Sequence, residues 1–147
     1  MEELNLKNYA YIGDAVWELK IRSKTIYMTN NPKNLHKLTT EKVKASYQAE
    51  CLHKLEPILT EEELEIARRG RNLPIPIGRR QIQTEYRQAT AFETLIGWWH
   101  LKDNKRLEEI YKILEVYLFS YFFKIIFQQI ITFFFHYSAI YFCITAD

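Results

Sequence analysis

The chain has 147 residues, a formal net charge of +2 and a hydrophobic content of 48%. That length supports one domain with a substantial core and leaves no room for a second of ordinary size. Cys51 and Cys143 are the two cysteines and lack paired spacing, which argues against a disulfide framework, a cysteine zinc site and an oxidising compartment.

The opening Met-Glu-Glu is not followed by an apolar signal region, so a cytoplasmic protein is expected. The small net charge hides an uneven distribution. From Lys20 to Lys54 there are eight Lys or Arg against Glu41 and Glu50, and from Arg68 to Arg87 six Arg against Glu85. Such clusters either mark a polyanion partner or form solvated faces.

The first predicted helix runs from about Leu6 or Asn8 to Met28. Its segment Tyr9-Ala10-Tyr11-Ile12-Gly13-Asp14-Ala15-Val16-Trp17-Glu18 sets carboxylates in an apolar helix. Asp14 and Glu18 are one turn apart on one face, with Arg22 a turn further. Two readings stand: a hard divalent cation drawing the carboxylates together, or a solvated stripe in which Arg22 pairs with Glu18. Gly13 costs about 1 kcal/mol relative to Ala inside a helix, so it suggests close approach of another backbone.

Asn30-Asn31-Pro32 stops this helix and starts a short one, Pro32 to Leu38. Thr39 or Thr40 then caps a helix whose apolar face carries Val43, Tyr47 and Cys51. His36 and His53 read as surface residues without metal-ligand spacing. Glu56-Pro57 ends that helix. Thr60 and Glu63 form a capping box, and the helix they start ends near Gly70, read as a C-terminal glycine.

From Arg71 to Thr84, with Pro74, Pro76, Gly78, Arg79 and Arg80, the chain reads as a basic loop. Thr84 caps the next helix, in which Ala89, Phe92, Ile96 and Trp99 repeat at helical spacing around Glu93. Lys102-Asp103-Asn104 turns the chain into a last helix from Lys105. Neither an internal repeat nor a useful run of strand alternation is found, so the fold class is all-α.

Three ordered motifs now stand together: Gly13-Asp14-Ala15-Val16, the Ala67 to Asn72 stretch Ala-Arg-Arg-Gly-Arg-Asn, and Glu93-Thr94-Leu95-Ile96-Gly97. Between about Tyr9 and Leu114 the chain resembles the ribonuclease III family, and most closely its Mini-III subgroup, which consists of the nuclease domain alone. The resemblance implies a homodimeric helical bundle with the first predicted helix at the two-fold contact. It implies an Mg2+-dependent endoribonuclease that cleaves double-stranded RNA to 5′-phosphate and 3′-hydroxyl ends, in maturation of large-subunit (23S) ribosomal RNA. Asp14 and Glu93 match the catalytic metal ligands. The wider family has two further acids where this chain holds Ala10 and Thr90, as Mini-III does, and Glu18 is the candidate for filling part of that gap. Arg71, Arg79 and Arg80 are the expected RNA contacts.

Residues 1–115 are assigned to the nuclease domain and 116–147 to an apolar, aromatic-rich tail that the resemblance does not cover. Its twenty residues from Ile125 to Ile144 carry no formal charge, enough to span a bilayer, but Gln128, Gln129 and His136 interrupt them. An added packed helix or a divergent end is ranked above a membrane anchor. An inactive ribonuclease III-like RNA-binding or ribosome-associated protein is the competing reading for the whole chain, with a membrane-tethered scaffold as a third.

Overall fold

The computed structural model describes residues 4–74 and 83–116. Arg79 and Arg80 and the tail from residue 117 lie outside the described residues. Among those described, every regular element is helical: α1 (Leu6–Thr25), α2 (Pro32–Val43), α3 (Ala45–Leu55), a 3-10 turn (Glu56–Ile58), α4 (Glu61–Arg71), α5 (Gln83–Lys102) and α6 (104–116). The all-α reading holds. None of these helices is long and apolar enough to cross a membrane. The chain divides into two compact units, Met1–Glu108 and Glu109–Asp147.

The first unit is built around α5, which packs against α1, α3 and α4. Its Ala89, Ala91, Phe92, Thr94, Leu95, Ile96, Gly97 and Trp99 are all buried, as suits a helix covered on several sides rather than along one stripe. The predicted core positions Ala89, Phe92, Ile96 and Trp99 are among them. From α1, Trp17 meets the Phe92 ring edge-on, with centroids 5.0 Å apart. The Trp17 indole Nε1 donates to the Lys42 carbonyl at 3.0 Å, so burying that ring strands no donor. Cys51 is buried in α3, and burial first of all pushes its thiol up to about 12, which makes it an inert core residue.

Local caps form where the sequence places them. The Asn31 side chain accepts from the Lys33 amide at 2.9 Å ahead of Pro32. Thr60 Oγ1 accepts from the Glu63 amide at 3.2 Å, while Glu63 Oε2 accepts from the Thr60 amide at 2.8 Å. Besides the first helix, which ends at Thr25 rather than Met28, three features differ from expectation. α2 continues to Val43, so Thr39 and Thr40 lie inside it and Val43 leaves the face assigned to Tyr47 and Cys51. The reason is tertiary: the buried Thr39 hydroxyl bonds Thr25 Oγ1 at 3.2 Å instead of capping a helix. The break falls at Lys44, which is extended (φ −67°, ψ 150°) and provides no side-chain cap. Thr84 sits inside α5, which begins at Gln83.

Gly70 is the third difference. It is a buried helical residue of α4, not a left-handed C-terminal glycine, and no glycine among the described residues has positive φ. A Cβ at Gly70 would lie 2.6 Å from Thr94 Oγ1 and 3.2 Å from the Ala91 Cα. The missing side chain therefore serves the α4–α5 contact.

The capping box also does more than close a helix. Glu63 is 3% exposed, and its Oε1 accepts from Trp99 Nε1 at 2.8 Å and Arg106 Nε at 2.9 Å. Its Oε2 accepts from Arg106 Nη2 at 3.1 Å. Burial pushes the Glu63 carboxyl upward, but the bonds from Arg106, the Thr60 amide and Trp99 outweigh it and hold the group below its ordinary range.

Two predictions follow from these contacts. In Gly13→Ala the new Cβ would overlap the Glu93 carbonyl oxygen and lie 2.8 Å from the Gly97 amide nitrogen. Both are backbone atoms that cannot rotate away, so the helices must separate, at about 1–3 kcal/mol in urea unfolding. In Glu63→Gln the protein should lose about 3 kcal/mol at neutral pH, because a buried ion pair is broken on one side. A carboxylate whose folded pKa is lowered stabilises above its unfolded pKa and loses that effect as pH falls through the folded value. The difference between wild type and Glu63→Gln should therefore shrink on acidification, and a gap independent of pH would refute the ion-pair account.

Candidate active site

The two proposed catalytic acids reside on different helices, and glycine brings those helices together. At Gly13 α1 runs against the backbone of α5, where an added Cβ would overlap the Glu93 carbonyl and lie 2.7 Å from its carbon. At Gly97 the relation is reciprocal: a Cβ would overlap the Tyr9 carbonyl oxygen and come within 2.9 Å of the Ile12 side chain. Side-chain ridges ordinarily keep helix axes about 8–10 Å apart, and two glycines at one crossing remove those ridges. Asp14 follows Gly13 directly, and Glu93 supplies the carbonyl that Gly13 touches. The close approach read from Gly13 is thus made by this chain's own α5.

Asp14 is exposed and Glu93 half-buried. Although the residue as a whole is exposed, partial desolvation raises the Asp14 carboxyl from its ordinary value, and the Glu18 carboxylate one turn on adds to the rise. Glu18 is held by Arg22, whose Nε and Nη2 donate to Glu18 Oε1 at 2.9 and 2.5 Å. With exposures of 57% for Arg22 and 38% for Glu18, such a pair contributes only about 0.3–0.5 kcal/mol. It can be exchanged cheaply.

At the positions where the wider family has further acids, Ala10 and Thr90 are half-buried. The Thr90 hydroxyl donates to the Tyr86 carbonyl at 2.9 Å, so it serves its own helix. Among the described residues no group of three His, Cys, Asp or Glu is gathered as a metal cluster. The donors that the resemblance offers are few, Asp14 on α1 and Glu93 on α5. That suits Mg2+, which binds through one or two carboxylates and retains several waters. His36 is exposed and the His53 side chain is 86% exposed, as surface residues.

Of the expected RNA contacts only Arg71 is described. It ends α4, and its Nη2 donates to Glu56 Oε1 at 3.3 Å. Its carbonyl accepts from Arg87 Nη1 at 2.9 Å. The sequence offered no sign of Glu56 or Arg87 here, since they lie 15 and 16 residues from Arg71 and no local motif joins them.

Residues 7–104 match the model of the ribonuclease III domain. The chain belongs to the ribonuclease III family. It is 41% identical over 107 residues to the Mini-ribonuclease 3 of a Synechococcus strain, covering 73% of this chain and 78% of that protein. Against the Mini-ribonuclease 3 of a Thermoanaerobacter strain the identity is 42% over 109 residues, covering 73% and 75%. The fold is similar to a crystal structure of a Fusobacterium nucleatum protein, with a TM-score of 0.69 and 32% identity over 78% of this chain and 95% of that one.

For this ribonuclease III-family site, Glu18→Gln should lower the Asp14 titration, followed by NMR, because it removes one of the two causes of the upward shift. It should also slow RNA cleavage, by less than Asp14→Asn does. A wild-type rate across an Mg2+ titration would leave Glu18 as a surface partner of Arg22 alone.

Proposed function

We propose that this endoribonuclease of the ribonuclease III family hydrolyses double-stranded RNA at the α1–α5 crossing with Mg2+ held by Asp14 and Glu93. The observation that supports the reading is the paired glycine contact, which sets the backbone of Gly13, next to Asp14, against that of Glu93. Glu18 would serve as an auxiliary ligand or as a base behind the ligands, released from its weak pair with Arg22.

Bound there, Mg2+ supplies the charge that lowers the pKa of water and offsets charge developing on the phosphate. The water oxygen attacks phosphorus, the bond to the 3′ oxygen breaks, and that oxygen takes a proton, giving 5′-phosphate and 3′-hydroxyl ends. Asp14 and Glu93 would hold the Mg2+ beside α5, since two carboxylates alone would repel a phosphate. Arg71, with Arg79 and Arg80 of the adjoining loop, would hold the backbone of a duplex. An A-form helix is recognised largely by shape, phosphates and 2′-hydroxyls, so a helical domain with basic edges suffices.

The physiological substrate we assign is a precursor of large-subunit ribosomal RNA, in the cytoplasm, in line with the similarity to Mini-ribonuclease 3 proteins. A homodimer is also proposed. Its support is the face of α1 where Tyr11, Ala15 and Leu19, at i, i+4 and i+8, are exposed. Tyr11 is 84% and Leu19 66% accessible, an apolar stripe that a second copy would cover.

Asp14→Asn and Glu93→Gln should each abolish cleavage of a long RNA duplex in Mg2+, because each removes a ligand charge with little change in volume. Asp14→Asn should not lower stability, since ionising a carboxyl with a raised pKa costs the folded state at neutral pH. Urea unfolding and a gel cleavage assay with Mg2+ or EDTA check both. Cleavage by both variants would overturn the metal assignment, and duplex binding without cleavage by the wild type would favour the inactive RNA-binding reading.

A further inference from the structure

The α4 terminus carries a constellation that the hydrolysis itself does not use. Arg71 is fixed there from two directions. On the backbone side, its carbonyl accepts from Arg87 Nη1 of α5 at 2.9 Å. On the side-chain side, its Nη2 donates to Glu56 Oε1 of the 3-10 turn at 3.3 Å. Just before it, Gly70 rests against Ala91 and Thr94 of α5, two residues short of Glu93 and one residue beyond it. Arg87 precedes Glu93 by six residues, about 9 Å along a helix. The base of Arg71 is therefore tied to the helix that carries a catalytic acid.

The guanidinium itself is under-satisfied. Its Nε is buried without a hydrogen-bond partner, while 37% of the side chain remains accessible. Among the described residues its one hydrogen bond goes to Glu56, and at 3.3 Å that bond is long for a charged pair. The other Glu56 oxygen, Oε2, lies 3.5 Å from His53 Nδ1. Burial at Nε restrains the stem, Glu56 takes one edge of the fork, and part of the side chain stays open to solvent. Such a group is pre-ordered for an incoming anion, and ordering it beforehand removes a cost from binding.

We infer that Glu56 is a positioning residue that holds the Arg71 guanidinium for contact with a phosphate of the RNA duplex. This rests on the reading of Arg71 as a phosphate contact. The inference runs against simple charge counting. Removing an acid from beside a phosphate-binding arginine raises the local positive charge and, by Coulomb attraction alone, would tighten RNA binding. If the acid positions the arginine, removing it weakens binding.

The experiment measures the affinity of a blunt RNA duplex of mixed sequence in EDTA, for wild type, Glu56→Ala, Glu56→Gln, Arg71→Ala and the doubles of each Glu56 variant with Arg71→Ala. Melting temperatures confirm folding. Glu56→Ala should weaken binding roughly threefold to fivefold, the range open to a partly exposed ion pair. Glu56→Gln keeps the length and an acceptor oxygen and should recover much of that loss, although both variants remove the same charge. In the Arg71→Ala background neither change should matter further. With Mg2+ present, Glu56→Ala should raise KM and leave kcat unchanged. Tighter binding by both Glu56 variants would make the acid a mere counter-charge and overturn the inference, as would a full Glu56 effect in the absence of Arg71. If Glu56→Ala does not fold, binding by Glu56→Gln tighter than wild type, or a Glu56→Gln effect that persists undiminished in the Arg71→Ala background, overturns it. Wild-type affinity in Arg71→Ala would remove the assignment of Arg71 as well, which separates that failure from the others.

Discussion

The geometry of this protein depends on one close helix crossing. Gly13 and Gly97 each place a backbone where any side chain would collide with the facing helix, on Glu93 in one direction and on Tyr9 in the other. A glycine in mid-helix is less favourable than alanine by about 1 kcal/mol, and here two such losses are accepted within helices of 20 residues each. The return is proximity. Asp14 follows Gly13 and Glu93 supplies the carbonyl it touches, so the two acids of the proposed metal site belong to the two helices that meet here. Phe92 and Trp17, meeting edge-on close to the same crossing, keep it from sliding, since interdigitated aromatic rings tolerate little displacement.

Around that crossing, charge is used in two ways. Glu63 is nearly inaccessible and its oxygens receive hydrogen bonds from Arg106, Trp99 and the Thr60 amide. That carboxylate joins the start of α4, the end of α5 and the start of α6. It is fully satisfied, which is what makes a buried charge tolerable. The ionic groups nearer the proposed RNA path are the reverse. The pairs Glu18–Arg22 and Glu56–Arg71 are partly exposed: the first can be exchanged for a cation at small cost, and the second holds an arginine whose side chain is still partly open to solvent. The buried pair holds the frame, and the exposed ones keep charge accessible.

Much of this was readable beforehand. The core face of Ala89, Phe92, Ile96 and Trp99, the Asn31-Pro32 start and the Thr60–Glu63 capping box all rest on spacing within a few residues, and each formed. Errors arose where local signals met distant partners. Thr39 has the chemistry of an N-cap but is claimed by Thr25 across the α1–α2 contact, so the helix break moved to Lys44, which has no cap chemistry at all. Gly70 stands where a C-terminal glycine belongs, yet Thr94 and Ala91 determine its use.

The sequence by itself determined the helical class and the family and put Asp14 and Glu93 forward as the acids of the proposed site, because hydrophobic period and short ordered motifs are properties of neighbouring residues. It also marked Gly13 as a point of close approach without naming what approaches. Only the tertiary structure decided that α5 is what comes near and that Glu56 and Arg87 converge on Arg71. Those choices depend on which helix faces meet across gaps of 15 residues and more. Contacts at that range are set by packing the whole core at once, and the residues flanking each partner carry no trace of them.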